Sequence, residues 1–231
     1  MKKFLRCIRW IPFSALLLQA CTVYSAKPIT ATVVDAQTNR PIEGVVVVAH
    51  WELNGGLEGG NIVGNMMVME TTTDSGGVFH FSAWGPRLKP KGTPFSAQLK
   101  DNDPEFYLFK SGYRPGVFKN AGDMDKERRD PRVRASDWDG KEMPLKKFEG
   151  TLAEYAHKEI GDFSYELSRT MGPKCTWTNI PLMIMALGEQ TKIFRAAGIG
   201  ADTFYSNLVR NEEYRAKEGC SVHKFLQEHS K

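Results

Sequence analysis

Asp35-Ala-Gln-Thr38-Asn-Arg-Pro41-Ile42-Glu-Gly44-Val45-Val46-Val47-Val48-Ala49-His50-Trp51-Glu52-Leu53 is the stretch that decides the fold. Its first half is turn chemistry: Asp and Asn bond their own backbone, Pro presets φ, and Gly44 lets the chain redirect. Its second half is a β-branched run of strand type. Alternation gives that strand two different faces. Val45, Val47, Ala49, Trp51 and Leu53 make one apolar face. Val46 and Val48 share the other with His50 and Glu52, so that face turns polar toward one end.

Working outward, Ile29–Asp35 alternates with β-branched residues and predicts the strand that feeds the turn. Gly55–Gly64 reads as a glycine-rich loop; no Gly-Lys-Ser/Thr follows it, so it is not a phosphate cradle. Met66–Thr72 predicts another strand, Asp74-Ser-Gly-Gly77 a hairpin turn, and Val78–Trp84 the returning strand. On that last strand Phe79, Phe81 and Ala83 take the apolar face, and Val78, His80, Ser82 and Trp84 the other. The expected fold class is α+β: an antiparallel β-sandwich over 28–148, then a small helical segment of three to four helices over 149–231.

Asp35-x-x-Thr38-x-x-Pro41-Ile42-x-Gly44-x-x-Val47, followed by Thr73-Asp74-x-x-Gly77-x-Phe79-x-Phe81, resembles the carboxypeptidase regulatory-like domain. Phe109-Lys110-Ser111-Gly112-Tyr113 is similar to that family's Gly-Tyr strand end, and Met143-Pro144-Leu145 suits its final strand. The resemblance implies a transthyretin-like (prealbumin-like) sandwich, with Asp35, Thr38, Pro41, Gly44, Asp74 and Gly77 at its turns. It also implies a folding, adhesion or interaction module without shared catalytic residues.

The C-terminal third changes period. Thr151-x-x-Glu154 is a capping box. Leu152, Ala156, Ile160, Phe163 and Leu167 recur at helical spacing, and Gly172-Pro173 ends the helix. Asn179 with Pro181 predicts the N-cap and opening of a second helix running to about Ala197. Gly198 and Gly200 break it, Asp202 is placed to cap a third helix to about Glu218, and Ser221–His229 suits a last short one.

The first twenty residues are an address. Met1–Arg9 is basic, and the apolar run Trp10–Leu18 rises only ~14 Å as a helix, too short to span a bilayer. Leu18-Gln19-Ala20-Cys21 resembles the bacterial lipobox. It implies a signal peptide over 1–20, a lipid (palmitate-bearing) anchor on Cys21 and a tether over 21–27. With Thr22 rather than Asp next, the same resemblance places the protein at the periplasmic face of the outer membrane in a Gram-negative cell.

The chain has 231 residues, 41% hydrophobic and 25% charged, which suits a globular protein and excludes a fibre or wholesale disorder. The net charge of +4 is carried by Lys2, Lys3, Arg6 and Arg9; without them the 27 remaining basic residues equal the 27 acidic ones. With no basic stripe in the sequence, no nucleic-acid partner is expected. Of four cysteines, Cys7 leaves with the signal and Cys21 is lipidated. Cys175 and Cys220 remain as a pair for a disulfide in an oxidising compartment, with two buried thiols as the alternative.

The chemistry-bearing residues are sparse. His50 and His80 both lie opposite the more apolar face of their strands. If those strands are neighbours, the two imidazoles and Glu52 can gather as a weak metal candidate; otherwise they are exposed sheet-face histidines. Trp84 and Trp138 are candidates for an exposed sugar platform. Asn120–Gly140 is a charged loop in which Asp123-x-Asp125 hints at calcium without completing an EF-hand. No nucleophile elbow or other catalytic constellation is present, and no cofactor is expected. The expected function is a non-catalytic envelope lipoprotein that binds or scaffolds an envelope protein. The alternative is glycan or peptidoglycan binding through exposed aromatics, and a metal-dependent enzyme on a His50/His80 face ranks last.

Overall fold

A computed structural model describes residues 23–55, 61–121, 132–171 and 173–229. Cys21, the signal region, the centre of the glycine-rich stretch, Asp123 and Asp125, and Gly172 lie outside the described residues. The strands are β1 (Val23–Ala26), β2 (Ile29–Asp35), β3 (Val46–Gly55), β4 (Asn61–Thr72), β5 (Val78–Phe81), β6 (Trp84–Leu88), β7 (Gln98–Leu99), β8 (Glu105–Phe109), β9 (Gly116–Phe118), β10 (Val133–Arg134) and β11 (Glu142–Leu145). Helices α1 (Leu152–Glu154), α2 (Gly161–Met171), α3 (Pro181–Ala196), α4 (Phe204–Arg210), α5 (Glu212–Lys217) and α6 (Val222–His229) follow. The class is α+β, as the sequence implies.

Three layers stack. The middle layer is the sheet β4-β3-β8-β9, with β7 also on β3. The sheets β11-β2-β5 and β10-β1-β6 form the second layer. Between these layers lies one core, made of Val45, Val47, Ala49, Trp51 and Leu53 with Ile29, Val33, Phe79, Phe81, Phe106, Leu108 and Met143. The helices cover the opposite face of the middle sheet and share a second core with Val46, Val48, Tyr107 and Phe109. β3 and β8 are therefore buried on both faces. The helical segment is docked directly on the sandwich: the Tyr155 hydroxyl donates to the Tyr113 carbonyl at 2.7 Å, and Ser111 to Gln190 at 2.7 Å.

The first turn forms around Asp35. Its Oδ1 accepts the N–H groups of Gln37 and Thr38 and the Thr38 hydroxyl, and Oδ2 accepts from the Tyr113 hydroxyl. These donors, the Thr38 N–H first, hold its carboxyl below the ordinary range. Asn39 takes φ 55° and Gly44 φ 67°, the left-handed region that turn residues favour.

Four expectations are corrected. Asp74–Gly77 is a tight turn, with Asp74 Oδ1 accepting from Gly76 and Val78, but not a hairpin. It carries the chain from β4 in the middle sheet to β5, which pairs with β2 in the other layer. Burying Phe79 and Phe81 between the layers requires that step. Second, the strand 78–84 breaks after Phe81, so the phase flips: Ala83 is exposed, while Trp84 is buried edge-on against Trp51 at 5.5 Å. Third, residues 23–26 are not tether but β1, held between β10 and β6. Fourth, the glycine-rich loop is shorter than read, since Gly55 ends β3 and Asn61–Gly64 belong to β4. Two pairings, β2 with β11 and β1 with β10, are parallel within the otherwise antiparallel sandwich.

The Thr151–Glu154 capping box is present. A π-helical segment, Tyr155–Ile160, joins α1 to α2 and turns Tyr155 and Ala156 inward, leaving Leu152 at the surface. Asn179 does not cap α3. It lies in a 3₁₀ segment, Pro173–Asn179, and the α3 amides of Leu182 and Met183 donate instead to the Glu70 carboxylate of β4, each at 2.7 Å. Burial pushes the Glu70 carboxyl up to about 7 against those two donors. Thr203, not Asp202, caps α4 through a box with Ser206, and the expected third helix is two short ones, α4 and α5. Cys175 and Cys220 are joined in a disulfide with Cα atoms 6.0 Å apart, tying the 3₁₀ segment to the residues before α6. No helix among the described residues is long and apolar enough to cross a membrane.

Candidate functional site

The polar end of β3 does not face solvent. Register places His50 opposite Glu105 of β8, and Glu52 follows two residues on along the same face. The helices close over that face, so His50, Glu52 and Glu105 are all buried. A ring nitrogen of His50 and one oxygen from each carboxylate lie within 4.8 Å of one another. Lys100 Nζ sits 3.4 Å from Glu52 Oε1 and 4.0 Å from Glu105 Oε2, and Lys119 Nζ sits 2.9 Å from Glu105 Oε1. Beneath them, Asp103 Oδ2 accepts the Glu52 N–H at 2.8 Å.

Environment sets the charges. Burial drives His50 down to about 4, so its imidazole is neutral at neutral pH. Burial pushes Glu52 up while Lys100 pulls it back. Asp103 is held well above the ordinary range by burial. The His50 ring is oriented from outside: Nε2 bonds the Asn65 side-chain oxygen, and Asn65 Nδ2 donates to Thr176 Oγ1 at 2.9 Å. With the Asn65 amide assigned that way, Nε2 carries the proton and Nδ1 holds a bare lone pair. Nδ1 is buried without a hydrogen-bond partner, as is Glu52 Oε2.

His80 is elsewhere. It is exposed on β5, bonded to Thr30 Oγ1 at 2.9 Å, and its strand lies in the other layer. The shared His50/His80 face is thus overturned, because the chain changes sheet at Asp74–Gly77. The exposed-histidine alternative holds for His80 and fails for His50. Glu52 stays with His50. The residues that complete the cluster, Glu105, Lys100, Lys119 and Asn65, come from non-local pairings. Only the polar Glu105 heading an otherwise aromatic and aliphatic strand marks one of them in the sequence.

Beside the cluster runs a cleft of about 790 Å³. Its walls are β4 from Ile62 to Val68, the segment 87–93, the end of α2 and the disulfide-held 3₁₀ segment. Asn65 and Thr176 belong to both cleft and cluster. Among the described lining residues the charged side chains are Arg87, Lys91 and Arg169, with neither a carboxylate nor an aromatic ring. Arg169 shares its charge with Glu166 at 2.9 Å. β4 is an edge strand, paired only with β3 among the described strands. Neither tryptophan candidate offers a sugar platform: Trp84 is buried, and Trp138 is half-buried, edge-on to Phe118 at 5.0 Å.

No protein-family model and no curated protein matches the chain. Among solved structures, 3-chlorocatechol 1,2-dioxygenase from Rhodococcus opacus aligns at TM-score 0.32 and 14% identity, over 56% of this chain and 63% of that one. The group B streptococcus pilus 2b backbone protein aligns at TM-score 0.26 and 17% identity, over 53% and 41%. Wild-type catechol 1,2-dioxygenase from Acinetobacter radioresistens aligns at TM-score 0.29 and 16% identity, over 58% and 55%. The chain spans less than two thirds of the length of each of these, and likenesses this low carry no weight for chemistry or assembly.

Proposed function

We propose that this is a non-catalytic lipoprotein of the cell envelope, anchored through Cys21 and processed after Ala20, whose sandwich is of the carboxypeptidase regulatory-like kind. Its task is to bind an envelope protein at the periplasmic face of the outer membrane. The observation that carries the reading is the cleft: Arg87 and Lys91 on a lining that holds no carboxylate among the described residues, alongside the edge of β4 that no other described strand pairs. An extended acidic segment fits it, adding to the edge strand through its backbone and pairing its carboxylates with Arg87 and Lys91. Met66 and Met67 supply an adaptable apolar wall. None of the described lining residues is aromatic, which disfavours the glycan alternative. The Cys175–Cys220 disulfide suits an exported protein.

A photo-crosslinker placed at Val63 in the full chain should capture one reproducible envelope protein. Arg87→Glu with Lys91→Glu should lower that yield roughly tenfold or more, because like charges across an interface repel. Equal capture by the charge-reversed chain overturns the site. Co-sedimentation with purified peptidoglycan that survives the charge reversal would instead favour glycan. Palmitate labelling that persists in Cys21→Ser would overturn the address.

A further inference from the structure

We infer that His50, Glu52 and Glu105 form a binding site for one divalent first-row transition ion. The inference stands apart from the docking proposal: its three donor residues are not on the cleft lining, although Asn65 and Thr176 touch both.

The donor set is one imidazole and two carboxylates, a mixture that suits first-row divalent ions better than the all-oxygen cages of calcium or magnesium. A ring nitrogen of His50 and one oxygen from each carboxylate already lie within 4.8 Å of one another. An ion with bonds near ~2 Å holds its donors about 3 Å apart, so modest side-chain rotations close the triad. Rigid strands set its geometry: His50 and Glu105 are cross-strand partners, and Glu52 is two residues from His50.

Two orphaned atoms point to a ligand. His50 Nδ1 and Glu52 Oε2 are buried with no hydrogen-bond partner. Leaving such groups bare costs about 1–3 kcal/mol each, so a fold that keeps them invites an occupant. The arrangement around His50 is also that of a ligating histidine. Its Nε2–H is committed to Asn65, which Thr176 orients in turn, and this outer chain leaves the Nδ1 lone pair as the donor.

Lys100 and Lys119 balance the carboxylates in the ion-free chain. Their side chains are 22% and 38% exposed, so both ammonium groups can withdraw to solvent as a dication replaces them. The exchange leaves the two carboxylates neutralised by the ion. The other cysteine and carboxylate cluster, Cys175, Glu218 and Cys220, offers no such site because its sulfurs are bonded to each other.

The test is zinc titration of the metal-stripped full chain in detergent by calorimetry, with stoichiometry checked by equilibrium dialysis. One equivalent should bind at micromolar concentration or tighter. His50→Gln and Glu52→Gln should each abolish the uptake, and Asn65→Leu should weaken it roughly tenfold. His80→Ala and His223→Ala should leave one equivalent. Lys119→Met keeps the test open if the buried variants fold poorly: it removes a competitor, so it should tighten zinc while lowering the melting temperature of the ion-free chain. A purely structural ion-pair cluster would show the second effect without the first. No uptake by the wild type at micromolar zinc, or uptake retained in both His50→Gln and Glu52→Gln, overturns the inference.

Discussion

Replacing both Cys175 and Cys220 with serine measures what the disulfide contributes. The bond closes a loop with a sequence separation of 45. Loop-closure entropy for that length is worth about 4 kcal/mol at 25 °C. One local term opposes it. Cys175 sits at φ 59°, in the left-handed region, and a residue with a Cβ gives up about 1 kcal/mol there. Without the bond the 3₁₀ segment can relax out of that conformation. The net loss is therefore about 3 kcal/mol, or roughly 6–12 °C in melting temperature for a chain of this size. Urea unfolding of the oxidised chain, the reduced chain and the double variant reads it directly. The last two should agree. Amide exchange adds the location: protection should fall in 173–179 and 218–222, while β2 and β5 keep theirs, since the core between the two sheet layers does not contain the bond. A loss below about 1 kcal/mol, or protection falling equally in β2 and β5, would refute the reasoning.

Four further outcomes are expected. His50 is buried neutral with a pKa near 4, below its unfolded 6.5, so its contribution is complete above pH 6.5 and is lost as pH falls to 4. The stability advantage of the wild type over His50→Gln should shrink by about 3 kcal/mol across that window, read from urea midpoints at each pH. Glu70→Ala removes both acceptors from the N-terminus of α3 and should cost about 1–2 kcal/mol with a loss of helical signal. Since its carboxyl is raised to about 7, the wild type should gain on Glu70→Gln as pH drops from 7 toward 4.5. Gly77→Ala sets a Cβ 2.6 Å from the Val33 carbonyl oxygen at φ 72°, and should lower stability by about 2 kcal/mol or more in thermal melts.

Much of the architecture is local and was readable. The bounds of β2 follow from its own alternation, the Thr151–Glu154 box marks the helical segment, and the odd-numbered face of β3 is core because its residues leave no other option. The failures share a cause, which is contact between distant segments. Asp74–Gly77 has the chemistry of a hairpin turn, but which sheet receives Phe79 depends on β2. The polar end of β3 looks solvent-facing until the helices cover it. The cap on α3 comes from Glu70, over a hundred residues away, while the local candidate Asn179 turns back to the Thr176 carbonyl. The candidate site was half legible: His50 and Glu52 stand out on their strand and Glu105 heads an otherwise apolar one, whereas Lys100 and Asn65 reach them through pairings that carry no signature in the sequence.

β1 gives the proposed anchor a mechanical meaning. Val23 is two residues beyond Cys21, and two residues of chain extend no more than about 7 Å. A lipid on Cys21 thus leaves almost no slack, and any pull between membrane and protein is delivered to the end of β1. That strand is the centre of its sheet, flanked by β10 on one side and β6 on the other. A load along it has to shear two ladders together rather than peel one open. The domain would sit as a short rigid stub on the bilayer, bearing tension at its first strand, and a partner would have to come to the membrane surface to meet it.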